Sequence, residues 1–279
     1  MLAQLILNEH SRRGRESAPA LRAALRDAGI DFVESADPSR IAEDAGCLIG
    51  AGGDGTIVGC ISGAIERNIP LGIVPLGTFN ELARTLEVPL DLEGAVRVIA
   101  AAAERAIDVG CVNGKYFVNE ASIGISSRIS RMQTPQLKQR FGFLAIVVTA
   151  LQAFRHSRAM HAEVLYDGKA EQFRTIQLTI ANSHRFGGFL QVADAAIDDG
   201  MLDLYSVDIR NFSEAFFIAQ ALFAGKTRAV PGLRCIRARS FEIRTRHRHH
   251  IAADAEPAGF TPARFELRPK ALRVFVRLP

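Results

Sequence analysis

Three glycines in four positions surround a single carboxylate in Gly52-Gly53-Asp54-Gly55-Thr56. A segment so poor in Cβ atoms lets a phosphate chain come close to the backbone. An apolar run, Cys47-Leu48-Ile49-Gly50-Ala51, precedes it, and a second, Ile57-Val58-Gly59-Cys60-Ile61, follows. That order predicts a buried strand, a glycine turn and a helix whose free N–H groups and positive dipole end favour an anion. Asp54 would repel bound phosphates unless Mg2+ or a catalytic water stood between them. By itself the segment indicates a nucleotide-phosphate site with a metal. A second turn, Pro75-Leu76-Gly77-Thr78-Phe79-Asn80-Glu81, has a related design. Gly77 permits a tight bend, Thr78 offers a hydroxyl to a phosphate oxygen, Asn80 can cap the next helix, and Glu81 sits where the helix dipole favours a carboxylate. Alone, this second turn reads equally as an ordinary strand-to-helix connection.

Both turns need a scaffold, and the first hundred residues supply one. Strand-like runs at 3–7, 30–33, 47–51 and 71–75 alternate with helical patterns at 17–28, 38–45, 57–67, 80–86 and 92–103. Alternation of this kind implies βαβ units and a mainly parallel sheet, with ligands beyond the carboxyl ends of the strands. Both glycine turns lie at such ends. From about residue 107 the rhythm changes. Runs at 116–121, 161–166, 175–181, 202–207, 241–245, 264–267 and 272–278 are broken by turns such as Asn113-Gly114 and Asp167-Gly168. This is the pattern of an all-β sandwich, into which two apolar helices, 141–155 and 213–224, are inserted. The expected organisation is a Rossmann-like α/β domain over 1–106 and a β-sandwich domain over 107–279.

Bulk properties fit that division, since 279 residues suit two domains. Apolar residues make up 48% and charged residues 23%, with a net charge of +4. The basic residues are clustered: Arg12, Arg13 and Arg15 form one group. Arg234, Arg237, Arg239, Arg244, Arg246 and Arg248, with His247, His249 and His250, form another. Such clusters read either as a solvated face or as a surface for polyphosphate or an anionic membrane. The four cysteines show no CxxC spacing, which points to reduced thiols in a cytosolic protein. The first residues are too short and uncharged a stretch for a signal peptide. The longest apolar stretch, 141–154, has 14 residues, short of the roughly 20 that span a bilayer, so no transmembrane segment is expected. Lys138, Arg140, Arg155 and Arg158 flank it, which suits either a peripheral membrane contact or a core helix with polar ends.

GGDGT at 52–56 followed by PLGTFNELAR at 75–84 resembles the diacylglycerol kinase catalytic-domain family, a superfamily shared with sphingosine, ceramide and NAD kinases. Further segments are similar in order and spacing: Asp108-Val109-Gly110 to Tyr116-Phe117-Val118-Asn119, Ala181-Asn182-Ser183 with Phe186-Gly187-Gly188, Asp198-Asp199-Gly200-Met201-Leu202-Asp203, and Asp254-Ala255-Glu256-Pro257. The resemblance implies that Gly52, Gly53, Gly55, Thr56, Gly77, Thr78, Asn80 and Glu81 hold ATP phosphates, with Asn8 near the nucleotide. It implies an aspartate–water–Mg2+ network at Asp54 and a structural Mg2+ held by the Asp199 side chain and the Met201 carbonyl. Glu256, supported by Asp254, would be the general base on the acceptor hydroxyl. The chain also departs from the family pattern. Val58 and Gly59 stand where many relatives have Asn-Glu, and Phe189 replaces a glycine. Ala193 stands at a usual proline, and Asn8-Glu9-His10-Ser11 is a reduced form of the N-terminal signature. Ala255 replaces a glycine, which implies a turn that does not need positive φ.

The function so implied is an ATP- and Mg2+-dependent lipid kinase acting on diacylglycerol or a related lipid. It would be cytoplasmic, meet its lipid at the surface of the inner membrane, and have no nucleic-acid partner. A homo-oligomer is left open. Two alternatives stand beside it: an NAD kinase, and a lipid-binding regulator that has lost catalysis at Val58 and Gly59.

Overall fold

The computed structural model describes residues 2–125, 159–183, 196–208, 214 and 231–277, and the backbone alone at 185–186 and 190–191. The chain divides into two units, Met1–Val109 with Arg268–Pro279, and Gly110–Leu267.

The first unit is α/β. Its strands are β1 (Leu2–Leu7), β2 (Asp31–Ser35), β3 (Cys47–Gly52) and β4 (Leu71–Pro75), in the parallel order β2-β1-β3-β4. Its helices are α1 (Arg12–Asp27), α2 (Asp54–Arg67), α3 (Glu81–Thr85) and α4 (Leu92–Ala101). Every residue of β3 and β4 is buried, as expected of parallel strands covered on both faces. α1 begins before the expected residue 17 because Ser11 caps it, accepting the Gly14 N–H. No helix forms over 38–45, where turns replace it. The Ala42 N–H, which a helix would give to the Pro38 carbonyl, goes instead to Gln4 Oε1, so a side chain distant in sequence takes the donor that would continue the turn. α2 starts at Asp54 rather than at Ile57, so Asp54-Gly55-Thr56 is the first helical turn and not a loop.

β5 (Glu104–Val112) leads out of this unit, and β18 (Ala263–Phe275) returns to it. Val274 pairs in parallel with Leu71, Lys270 N–H donates to Asp108 Oδ1 at 2.8 Å, and Val276 N–H donates to the Ala103 carbonyl at 2.9 Å. The expected second domain, 107–279, therefore differs from the structure at its end. Residues 268–279 belong with the α/β unit, because Leu272, Val274 and Phe275 are buried there.

The second unit is built from β6 (Lys115–Phe117), β7 (Glu120–Gly124), β8 (Met160–Tyr166), β9 (Lys169–Thr175), β10 (Gln177–Ala181), β11 (Arg185–Phe186), β12 (Leu190–Gln191), β13 (Leu202–Val207), β14 (Leu233–Ala238), β15 (Ser240–Thr245), β16 (His250–Ala253) and β17 (Glu256–Phe260). One antiparallel layer runs from the first half of β18 through β15 and β8 to β9. The other has the order β14-β13-β10-β7-β16-β17. Val164, Phe241 and Phe265 from the first layer pack in one core with Ile123, Leu178 and Leu204 from the second, which makes the unit a β-sandwich. Asn113-Gly114 and Asp167-Gly168 turn with positive φ at both residues, as two-residue hairpins require. The run 116–121 is split into β6 and β7, 175–181 is split at Ile176, and 264–267 and 272–278 belong to one long strand. The expected helices at 141–155 and 213–224, and the cations Lys138, Arg140, Arg155 and Arg158, lie outside the described residues apart from Glu214.

Candidate active site

Parallel pairing places the ends of β1, β3 and β4 side by side, and this brings the predicted phosphate-binding residues together. Gly52 opposes Pro75 in the β3–β4 register, and the Leu76 N–H donates to the Gly52 carbonyl. The two glycine turns touch backbone to backbone. A Cβ on Gly77 would lie 2.5 Å from Gly53 Cα, and one on Gly53 would lie 3.3 Å from Gly77 Cα. Any side chain at Gly77 would force the turns apart. Asn8 joins them from the end of β1, its Nδ2 donating to Thr56 Oγ1 at 3.3 Å. The surroundings of Gly55 are open, and the first turn of α2 offers N–H groups without intrahelical acceptors. Thr78 is exposed beside them.

Asp54 has a role that its sequence position does not reveal. Its Oδ2 accepts the Asn80 N–H at 3.1 Å and its Oδ1 accepts the Glu81 N–H at 2.7 Å. The carboxylate of the first turn thus caps the helix that follows the second. Asn80 occupies the N-cap position of α3, but its side chain does not cap, contrary to expectation. The left-handed backbone there (φ 50°, ψ 50°) turns the amide back onto Gly77, where Oδ1 accepts the N–H at 2.8 Å and Nδ2 donates to the carbonyl at 3.1 Å. Arg13, noted only as part of a basic cluster, donates from Nη1 to the Gly77 carbonyl at 2.9 Å and so brings a cation to the paired turns.

In the second unit, Asp254 and Glu256 lie on the hairpin formed by β16 and β17. Asp254 is clamped to the β6–β7 connection: its carboxylate accepts the N–H groups of Val118, Asn119 and Glu120 at 2.7–3.0 Å. Burial pushes this carboxyl up to about 6, against the lowering effect of those three donors. With its oxygens so engaged, Asp254 positions the turn, and the exposed carboxylate at its exit is that of Glu256. Asn119 is buried, and its Oδ1 has no partner among the described residues. Asn119 closes the segment Tyr116-Phe117-Val118-Asn119, and no local pattern marks its amide for a role.

The hairpin corrects the expectation for Ala255. Asp254 (φ 45°) and Ala255 (φ 68°) are both left-handed, the geometry of a type I′ turn. A left-handed conformation costs an L-residue roughly 1–2 kcal/mol. Ala255→Gly is therefore expected to raise stability by about 1 kcal/mol, read as a higher denaturant midpoint with an unchanged slope.

Asp199 lies in the turn before β13. Its Oδ1 accepts the Met201 N–H at 3.0 Å, and its Oδ2 accepts the Ala196 N–H at 3.1 Å and pairs with Arg237. Arg237 also approaches Asp203, its Nε 3.8 Å from Oδ1. The Arg237 guanidinium meets Oδ2, while Oδ1 accepts one N–H and keeps a second lone pair, so the two residues expected to hold a Mg2+, Asp199 and Met201, lie together in this turn. Gly187, Gly188, Phe189 and Ala193 lie outside the described residues.

The chain is similar to known proteins over most of its length. Residues 3–112 match the family described as diacylglycerol kinase catalytic domain, and 119–276 match the YegS C-terminal NAD kinase beta sandwich-like domain. A diacylglycerol kinase of Staphylococcus aureus (strain bovine RF122 / ET3-1) is 30% identical over 226 residues, which cover 80% of this chain and 72% of that protein. A diacylglycerol kinase structure from Bacillus anthracis str. Sterne superposes with a TM-score of 0.75 at 23% identity, covering 99% of this chain and 96% of that one. An NAD kinase from Archaeoglobus fulgidus in complex with ATP gives 0.58 at 12% identity, covering 99% and 93%, and so shares the fold. Paired glycine turns on a parallel sheet, a β-sandwich bearing an Asp-x-Glu hairpin, and this extent of identity give one answer: the chain belongs to the diacylglycerol kinase family.

Proposed function

We propose that this protein transfers the γ-phosphoryl group of ATP to the hydroxyl of a lipid, diacylglycerol or a close relative. The observation that carries this reading is the contact of the two glycine turns, held by Asp54, at the ends of parallel strands. Backbone approaching backbone at Gly53 and Gly77 leaves the first turn of α2 and the open ground at Gly55 for a phosphate chain. Asn8 orients the Thr56 hydroxyl, and Arg13 adds positive charge. Each oxygen of Asp54 accepts one backbone N–H and keeps a second lone pair, which fits a water of a nucleotide-bound Mg2+. That ion would spread the negative charge of the phosphates.

The protein's own chemistry in the step is small, as phosphoryl transfer is mainly positioning and charge stabilisation. The acceptor oxygen forms a bond to the γ-phosphorus while the bond from that phosphorus to the β–γ bridging oxygen breaks and its electrons leave with ADP. The hydroxyl proton passes to Glu256, which leaves the turn that the Asp254 clamp fixes. No described helix is long and apolar enough to cross a membrane, so the lipid would be met at a membrane surface.

The test is a labelling screen with ATP and Mg2+ over diacylglycerol, ceramide, sphingosine and phosphatidylglycerol in detergent micelles, with NAD in a parallel arm. Label is expected in phosphatidic acid. Label in NADP would replace this reading by that of an NAD kinase. Lipid binding without transfer to any acceptor would make the protein a regulator.

A further inference from the structure

The link between β15 and β16 is the four residues Arg246-His247-Arg248-His249, and the first three side chains are exposed. Residues 244–250 contain six basic or histidine side chains and no acid. Arg244 is neutralised by Glu242 and Glu163, but Arg246 and Arg248 have no carboxylate within ion-pair distance among the described residues. Beside them stands Phe260, 40% exposed at the end of β17, which is an edge strand. The described residues contain two other large apolar side chains as exposed, Val33 and Leu90, and both belong to the first unit. The Phe260 ring has the Arg248 guanidinium 4.9 Å from its centroid and the His250 ring at 4.3 Å. Thr261 ties the bend to the end of β17: its N–H donates to the His249 carbonyl, and its hydroxyl accepts the His249 N–H, both at 2.9 Å. Basic bend and exposed ring therefore form one fixed patch.

We propose that Arg246, His247, Arg248 and Phe260 form the surface by which this protein rests on an anionic phospholipid bilayer. The charge selects an anionic partner, and the exposed ring, held beside the Arg248 guanidinium, selects one with an apolar phase just below its charged surface. The inference deepens the lipid-kinase reading and rests on it, because an acceptor lipid resides in such a bilayer. Position adds a reason. β17 begins at Glu256 and ends at Phe260, a span of about 13 Å at the rise of an extended strand, so docking at one end brings the other toward the layer that holds the acceptor.

The experiment is co-sedimentation of the whole chain, without ATP, with vesicles of equal parts phosphatidylglycerol and phosphatidylcholine, and with vesicles of phosphatidylcholine alone. Binding is expected only to the first and should weaken as salt rises. Arg246→Ser with Arg248→Ser should lower the partition by about tenfold or more, and Phe260→Ser should lower it further. Arg246→Lys with Arg248→Lys, which keeps the charge, should bind nearly as the wild type. Equal binding to both vesicle types, no vesicle binding, or undiminished binding by the serine variant overturns the proposal. Retention by duplex DNA in place of vesicles overturns it too. Turnover of a short-chain acceptor dissolved in detergent separates this inference from the reading beneath it. The serine variant should phosphorylate it at the wild-type rate, whereas a wild type that transfers no phosphate removes the kinase reading and leaves the sedimentation result standing.

Discussion

Glu256→Gln is expected to lower lipid phosphorylation by roughly 10²–10⁴-fold, the range a positioned general base supplies, while leaving the unfolding temperature where it was. The side chain is exposed, lies at the first residue of β17, and makes no hydrogen bond among the described residues. Nothing in the fold depends on its charge. Glutamine keeps the length and shape but cannot take a proton from an alcohol, so the loss should fall on kcat. Asp254→Asn should behave differently. It leaves an amide facing three N–H donors, so stability and rate should fall together. A Glu256→Gln enzyme within threefold of wild-type kcat, measured by initial rates in micelles, would end the assignment of this residue as base.

The second large effect belongs to Asp54. Removing this carboxylate is expected to stop transfer and to weaken the fold as well. Two backbone donors, the N–H groups of Asn80 and Glu81, end on its oxygens. A hydrogen bond to a charged group contributes about 1.5–3 kcal/mol. In Asp54→Ala both donors lose their partner, and the start of α3 is freed from the first glycine turn. A destabilisation of about 2 kcal/mol would lower the unfolding temperature by roughly 4–8 °C in a chain of this size, with transfer abolished. Calorimetry beside a kinase assay checks it. An Asp54→Ala protein that melts with the wild type would show that the helix cap is dispensable.

The parallel strands were legible because each is a short apolar run closed by a turn, and the Asn-Gly and Asp-Gly hairpins because their left-handed residues are chemically marked. The glycine turns announced themselves by composition, and their adjacency followed from β3 and β4 being neighbours. What stayed hidden was set by partners distant in sequence. The Asp54 carboxylate meets N–H groups 26 and 27 residues away, and Arg13 reaches a carbonyl 64 residues on. No local pattern encodes such pairs. The segment 38–45 has helix-compatible residues but gives a donor to Gln4. Ala255 misled in the opposite direction: the pairing of β16 with β17 imposes positive φ on a residue that does not prefer it.

The return of β18 has a practical consequence for anyone wishing to isolate the nucleotide-binding half. A fragment ending near residue 106 would omit Leu272, Val274 and Phe275, and the edge of β4 at Leu71 would lose its neighbour. An unpaired apolar edge is a template for aggregation. The α/β half is thus not a contiguous stretch of sequence. Expressed alone, it calls for residues 268–277 joined by a designed linker behind residue 109, or for the two stretches produced as separate chains and combined.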